Sequence, residues 1–163
     1  MKLLPMLRPM VVAAALTALP ALAFADPVTL TAASMQLTPP PGWTATTPGP
    51  QVALFRRGDA VSVDVMMPAL DARNTEASLT AEFLRAVNPR WSGPAQLRVV
   101  WEQRGTMRRG TAQHNGREER FIFVAVPING RLLLAAIYIA PNATREQEGE
   151  AHQIVSSLRP VGS

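Results

Sequence analysis

Residues 117–140, REERFIFVAVPINGRLLLAAIYIA, carry two long apolar runs on either side of Asn129-Gly130. A second Asn-Gly pair, Asn115-Gly116, stands immediately before this stretch. Each pair predicts a tight β-hairpin, because Asn and Gly tolerate the positive φ angles that both central residues of a type I′ turn require. We therefore expect an antiparallel meander whose last two strands cover residues 117–126 and 131–140.

The register of this last hairpin follows if its turn has two residues. Phe121 then faces Tyr138 across the strand pair, with Phe123 and Leu134 on the same side. The opposite side is also apolar, and it is formed by Ile122, Val124, Leu133 and Ile137. Strands that are apolar on both faces need cover above and below, so we expect them at the centre of a sheet.

An earlier hairpin and two helices are predicted around the meander. Residues 52–56 and 61–67 have the pattern of two short strands joined by a turn. Thr75 is a plausible N-cap for a helix over residues 76–88, which Asn88-Pro89 ends. Thr144 and Gln147 have the spacing of a capping box for a closing helix that ends before Pro160.

Between these helices, residues 97–104 are predicted to form a strand. A turn or bulge near Gly105 or Gly110 is then expected to lead into a further strand that ends at His114.

The N-terminus has the pattern of a secretory signal peptide. Lys2 and Arg8 precede an apolar run, and Ala23-Phe24-Ala25 is a small-x-small cleavage site. We predict cleavage after Ala25 and a periplasmic or secreted protein of residues 26–163. A membrane anchor is the alternative, but the uncharged stretch is short against the roughly 20 residues that a span requires.

Composition excludes several classes of function. The chain has no cysteine, so it has no disulfide, no thiolate metal site and no acylated cysteine at the cleavage point. Without Lys2 and Arg8 the formal charge falls from +4 to +2, which does not indicate a nucleic-acid-binding protein. The length of the predicted mature chain is that of a single domain.

The order of these elements resembles the PsbP-like superfamily, which includes bacterial DcrB-like envelope proteins and the extrinsic PsbP subunit of photosystem II. The resemblance is carried by the Pro-Gly-Trp segment at residues 41–43, the hairpin, the helix, the Asn-Gly meander and the closing helix with Ile154-Val155-Ser156-Ser157-Leu158. It implies an α+β fold in which an antiparallel sheet of about six strands is sandwiched by helices. It also implies binding or assembly rather than catalysis, with no catalytic residue to transfer.

The sequence contains no recognisable catalytic, metal or cofactor motif. His114 and His152 have no ligand partners at the spacing of His-Glu-x-x-His, and we interpret both as solvated side chains. Asp59, Asp64 and Asp71 could form an acid pair, although outward acids that balance arginines explain them equally well. We predict no metal, no cofactor and no enzymatic activity.

Two sets of residues are candidates for binding. The first is a cluster of arginines along one hairpin: Arg104, Arg108, Arg109, Arg117 and Arg120. Three acids in the same stretch, Glu102, Glu118 and Glu119, could neutralise the charge of this cluster. The second is Trp43 on its proline-stiffened turn, with Trp91 expected nearby. Trp43 is either an exposed interface anchor or a side chain folded back to close the core.

Three functions remain open from the sequence. The favoured one is a non-catalytic envelope module that binds a protein or small ligand beside the sheet. The second is an accessory protein that contacts anionic envelope components through the arginine hairpin. The third is a hydrolase with an unrecognised acid pair.

Overall fold

A computed structural model describes residues 25–163, so the predicted signal peptide lies outside the described residues except for Ala25. The described chain contains two α-helices, one 3-10 turn and short and long β-strands. In chain order these are β1 (Val28–Leu30), the 3-10 turn (Thr31–Ala33), β2 (Met35–Leu37), β3 (Thr44–Gly49), β4 (Val52–Arg57), β5 (Val61–Met66), α1 (Glu76–Val87), β6 (Arg90–Trp91), β7 (Gln96–Val100), β8 (Gln103–His114), β9 (Arg117–Ile128), β10 (Arg131–Ile139), α2 (Arg145–Ser156) and β11 (Arg159–Pro160).

The strands form two antiparallel sheets. Eight of them make the main sheet, in the order β3-β4-β5-β10-β9-β8-β6, with β7 also paired to β8. β1, β2 and β11 make a small second sheet. The main sheet is therefore larger than the expected six strands.

The local turn and cap predictions are confirmed. Asn115 and Asn129 have φ angles of 49° and 50°, and each is followed by a glycine with positive φ. Phe121 pairs with Tyr138 in the predicted register, and β9 and β10 lie inside the sheet between β8 and β5. Both helices carry the predicted Thr caps, and α2 has the complete capping box.

The predicted strand at residues 97–104 is wrong, because the chain turns in the middle of it. Trp101 and Glu102 have φ angles of 44° and 63°, so β7 ends before them and β8 begins after them. Gly105 and Gly110 lie inside β8 and not at its turn. A Cβ on either glycine would lie 2.1 Å from a neighbouring backbone oxygen, so close approach of the backbone requires glycine there.

Side chains alternate between two buried clusters, one on each face of the main sheet. Ile122, Val124 and Ile137 belong to the larger cluster, into which α2 buries Ala151, Ile154 and Val155. We call this side the α2 face. The opposite side, which we call the α1 face, has Phe121, Phe123, Leu134 and Tyr138, and the apolar residues of α1 pack against it.

The two helices differ in how well they cover the sheet. α2 contributes three buried residues, whereas α1 contributes none. The expectation of a sheet sandwiched by helices therefore holds only in its coarser form, a mixed α+β fold with an antiparallel main sheet and two helices. The incomplete cover over the α1 face creates the candidate site.

Candidate functional site

A groove of about 670 Å³ lies between α1 and the sheet. Its floor is made by Met66 of β5 and by Leu134 and Tyr138 of β10, and Phe83 and Val87 of α1 form a wall. Such an apolar cavity with a few polar groups at its border is typical of small-ligand sites. The polar lining residues are Gln51, Asp64, Asn74 and Glu82.

Tyr138 is the only tyrosine of the chain, and it lines this groove. Burial, together with the negative charge of Asp64, raises the pKa of Tyr138 to about 12. The phenol therefore remains protonated at neutral pH and can donate a hydrogen bond. Asp64 is itself held by Arg56, whose Nη1 donates to Oδ1 at 2.7 Å.

A polar cluster continues from Tyr138 on the same face. The ring of His114 stacks on that of Tyr138, with centroids 4.0 Å apart and an interplanar angle of 11°. His114 Nδ1 lies 2.9 Å from Oε2 of Glu119, and Arg117 Nε donates to Oε1 of the same carboxylate at 2.5 Å. Glu119 is only 3% exposed, so these two partners compensate the burial of its charge.

A second, smaller cavity of about 190 Å³ adjoins this cluster. Arg56, Ser62, His114 and Glu119 are among its lining residues. Next to it, Arg117 Nη2 donates to the carbonyl oxygen of Asp59 at 2.6 Å and thereby joins two hairpin tips. Among residues 25–163, no group of His, Asp and Glu side chains has the arrangement of a metal site.

The interpretation of both histidines as solvated is wrong. His114 is half-buried against Tyr138, and His152 is half-buried beside Arg98. Burial and the charge of Arg98 lower the pKa of His152, whose Nδ1 has no hydrogen-bond partner among the described residues.

The hairpin register could have located the polar cluster. Phe121 faces Tyr138 as predicted, and Glu119 lies two residues before Phe121 and hence on the same face. Across the Asn115-Gly116 turn, His114 pairs with Arg117, which shares that face as well. The spacing of the two histidines along the chain carries none of this information, because it does not include the pairing of the strands.

Trp43 is not an exposed anchor. It is 7% exposed and belongs to the cluster on the α2 face, where its Nε1 donates to Oε2 of Glu150 at 2.8 Å. Trp91 packs on the α1 face against Phe121 and Phe123. The expectation that Trp43 and Trp91 lie together is therefore wrong, and the alternative that Trp43 closes the core agrees with its burial.

The arginine cluster is divided between the two faces. Arg104 and Arg108 alternate with Arg109 along β8, and Arg117 and Arg120 project to opposite faces of β9.

Most of these arginines are engaged with other groups. Arg108 lies over the Trp91 ring at 4.6 Å, and Arg109 donates to Oε1 of Gln96. Arg120 pairs with Glu148 at 2.9 Å, while Arg117 binds Glu119 as described above. The five side chains do not form one continuous basic surface.

The three aspartates do not form an acid pair. Asp64 pairs with Arg56, and Asp71 accepts backbone hydrogen bonds from Arg73 and Asn74 in its own loop. Asp59 lies in the turn between β4 and β5.

The described helices include none that is long and apolar enough to span a bilayer. No protein-family model matches the chain, and no curated protein matches it.

Solved structures do match, and they identify the fold as PsbP-like. The cyanobacterial PsbP protein CyanoP from Synechocystis aligns over 90% of this chain and 98% of its own, with 12% identity and a TM-score of 0.60. A structure from Bacteroides thetaiotaomicron aligns over 78% of this chain but only 45% of its own, with 12% identity and a TM-score of 0.54. A Pseudomonas aeruginosa protein of unknown function aligns over 78% and 92%, with 15% identity and a TM-score of 0.50.

Proposed function

We propose that this protein is a non-catalytic binding module of the cell envelope, and that its ligand occupies the groove between α1 and the sheet. The observation that carries the proposal is that α1 buries none of its residues and stands over a cavity of about 670 Å³. A helix whose apolar stripe is incompletely buried has contact surface left for a ligand. The PsbP-like fold and the signal-peptide pattern support an exported location.

The lining indicates the chemistry of the ligand. Leu134, Met66 and Phe83 offer contacts to an apolar body. Glu82 adds a negative charge to the lining, whereas the charge of Asp64 is compensated by Arg56, so the lining disfavours an anionic ligand. We therefore expect a neutral or cationic apolar molecule with a hydroxyl or amino group.

A large side chain introduced at the edge of the groove should block ligand binding and so tests the proposal. Ala86 is exposed on α1 and lines the groove, whereas its neighbour Arg85 is exposed and does not. We expect Ala86→Trp to weaken binding of the neutral dye N-phenyl-1-naphthylamine at least about tenfold, with Arg85→Trp as the matched control. Equal dye binding by both variants and the unchanged protein, at equal melting temperatures, would place the ligand elsewhere.

The two alternative functions have less support. The arginine hairpin does not present one basic face, because Arg109 and Arg120 lie opposite Arg104 and Arg108. A hydrolase would need converging carboxylates, and Asp64 and Asp71 are each committed to other partners.

A further inference from the structure

Three of the large apolar side chains that the described residues expose lie on the β7–β8 hairpin. Leu97 is 67% exposed, Val99 is 50% exposed and Trp101 is 38% exposed. They occupy alternate positions, so Leu97 and Val99 share one face of β7, and Trp101 follows at the hairpin tip. We call these three residues the hairpin patch.

The other face of β7 is anchored to the protein. Val100 is buried in the cluster on the α2 face, and Arg98 Nη2 donates to Ser156 Oγ of α2 at 2.7 Å. Because β7 is held from this side, the patch is presented on a rigid element.

The tip of the hairpin is also constrained. Val100 pairs with Gln103, which leaves Trp101 and Glu102 as a two-residue turn with both φ angles positive. Asn and Gly adopt this conformation far more readily than Trp and Glu do. Strained positions of this kind occur preferentially where function requires them.

Positive charge lies beside the patch. Arg104 pairs with Val99 across the hairpin, so the two side chains are neighbours on one face. Arg104 is exposed, and it forms no ion pair within residues 25–163. The nearest acid in sequence is Glu102 at the tip.

The area of the patch distinguishes between a protein partner and a lipid surface. Three partly exposed side chains supply on the order of a few hundred Å². A stable protein interface requires about 800 Å² from each partner. Exposed aliphatic residues, a tryptophan and an arginine are instead the combination that enters the headgroup region of a bilayer.

We propose that the β7–β8 hairpin docks reversibly on an anionic lipid surface, with Leu97, Val99 and Trp101 in the interfacial layer and Arg104 against the lipid phosphates. This contact is separate from the proposed ligand groove, so either proposal can fail without the other.

Cosedimentation of the purified full chain with vesicles tests the proposal. We expect binding to vesicles that contain about one third phosphatidylglycerol in phosphatidylcholine, weaker binding to phosphatidylcholine alone, and loss of binding as salt is raised. Leu97→Gln combined with Trp101→Gln should weaken binding at least about tenfold. Val161→Gln is the matched control, because Val161 is 51% exposed outside the patch.

Two charge variants should change vesicle binding in opposite directions. Arg104→Gln should weaken binding and reduce its dependence on salt, whereas Glu102→Gln should strengthen it. Unchanged vesicle binding by the Leu97/Trp101 double variant would overturn the proposal. A dimer in gel filtration that the double variant abolishes would overturn it too, in favour of a protein contact.

Discussion

The indole of Trp43 donates a hydrogen bond to Glu150, 107 residues further along the chain, at 2.8 Å. Glu150 also lies 3.5 Å from Nε of Arg57, so its carboxylate joins the segment after the prolines, the end of β4 and α2. A side chain placed in this way stabilises the packing of α2 on the sheet.

Truncation of Trp43 should therefore destabilise the protein. Trp43→Ala is expected to lower the free energy of unfolding by about 3–5 kcal/mol, the usual range for a buried aromatic. Trp43→Phe keeps most of the ring contact and loses the hydrogen bond to Glu150, so about 1–2 kcal/mol is expected. Chemical denaturation measures both, and an unchanged stability in Trp43→Ala would restore Trp43 as a binding residue.

Gly116 provides a test of the meander. Its φ is +76°, and a Cβ added there would meet no atom within 4 Å, so a substitution is opposed by backbone conformation alone. Gly116→Val should lower stability by about 1–2 kcal/mol. Gly149 in α2 is equally open but has no positive φ, and Gly149→Ala should raise stability by about 0.5–1 kcal/mol. Effects of the same sign in both variants would contradict this account.

Tyr138 should titrate well above the ordinary value of 10, because it is buried and lies near Asp64. The chain has no other tyrosine, so ultraviolet absorbance follows this phenol directly. Asp64→Asn should lower its pKa from about 12, though not to 10, since burial is the larger cause.

Because the pKa of Tyr138 is raised, the stability of the folded protein should depend on pH in the alkaline range. The folded state retains the proton longer than the unfolded state, so this contribution is complete below pH 10 and is lost as the pH rises toward about 12. Circular dichroism must show that the protein is still folded during the titration. A phenol that ionises near pH 10 in folded protein would show that Tyr138 is solvated.

His152 should make the protein less stable in mild acid. Burial lowers its pKa, as do the charges of Arg98 and Arg109, while Glu148 acts in the opposite direction. The folded state then binds fewer protons, so stability is present above about pH 6.5 and is lost as the pH falls toward the folded pKa.

His152→Gln removes this titration, so its melting temperature should fall less between pH 7.5 and 5.5 than that of the unchanged protein. Gln153→Ala, at an exposed neighbouring position, is the control and should keep the original pH dependence. If His152→Gln and the unchanged protein lose equal stability, His152 is not the group responsible.

Cleavage of the predicted signal peptide can be tested by the mass of the exported protein. Cleavage after Ala25 should leave Asp26 as the first residue of the exported protein. Intact-mass measurement of protein from the periplasm or medium should find the mass of residues 26–163. Exported protein that retains residues 1–25 would contradict the prediction.

The sequence by itself determined the elements that depend on neighbouring residues. The two Asn-Gly turns, the Thr75 cap and the Thr144–Gln147 capping box follow from the backbone angles and hydrogen bonds that these residues favour locally. The apolar pattern of residues 117–140 likewise determined that β9 and β10 are covered on both faces and lie inside the sheet.

Elements with a weak local pattern were not predictable. β3 is an edge strand that contains Pro48 and exposes five of its six residues, so it has no apolar alternation. The turn at Trp101-Glu102 lacks the residues that normally mark a type I′ turn, so the local pattern there is that of an uninterrupted strand.

Only the tertiary structure decided the candidate site. β10 pairs with β5, which precedes it by about 70 residues, and this pairing places Asp64 on the same face as Tyr138. The Trp43–Glu150 bond and the stack of His114 on Tyr138 likewise join residues that are distant in sequence. Local preferences determine where a strand or helix forms, but which strands pair, and how far α1 stands from the sheet, depends on how the whole apolar surface is buried.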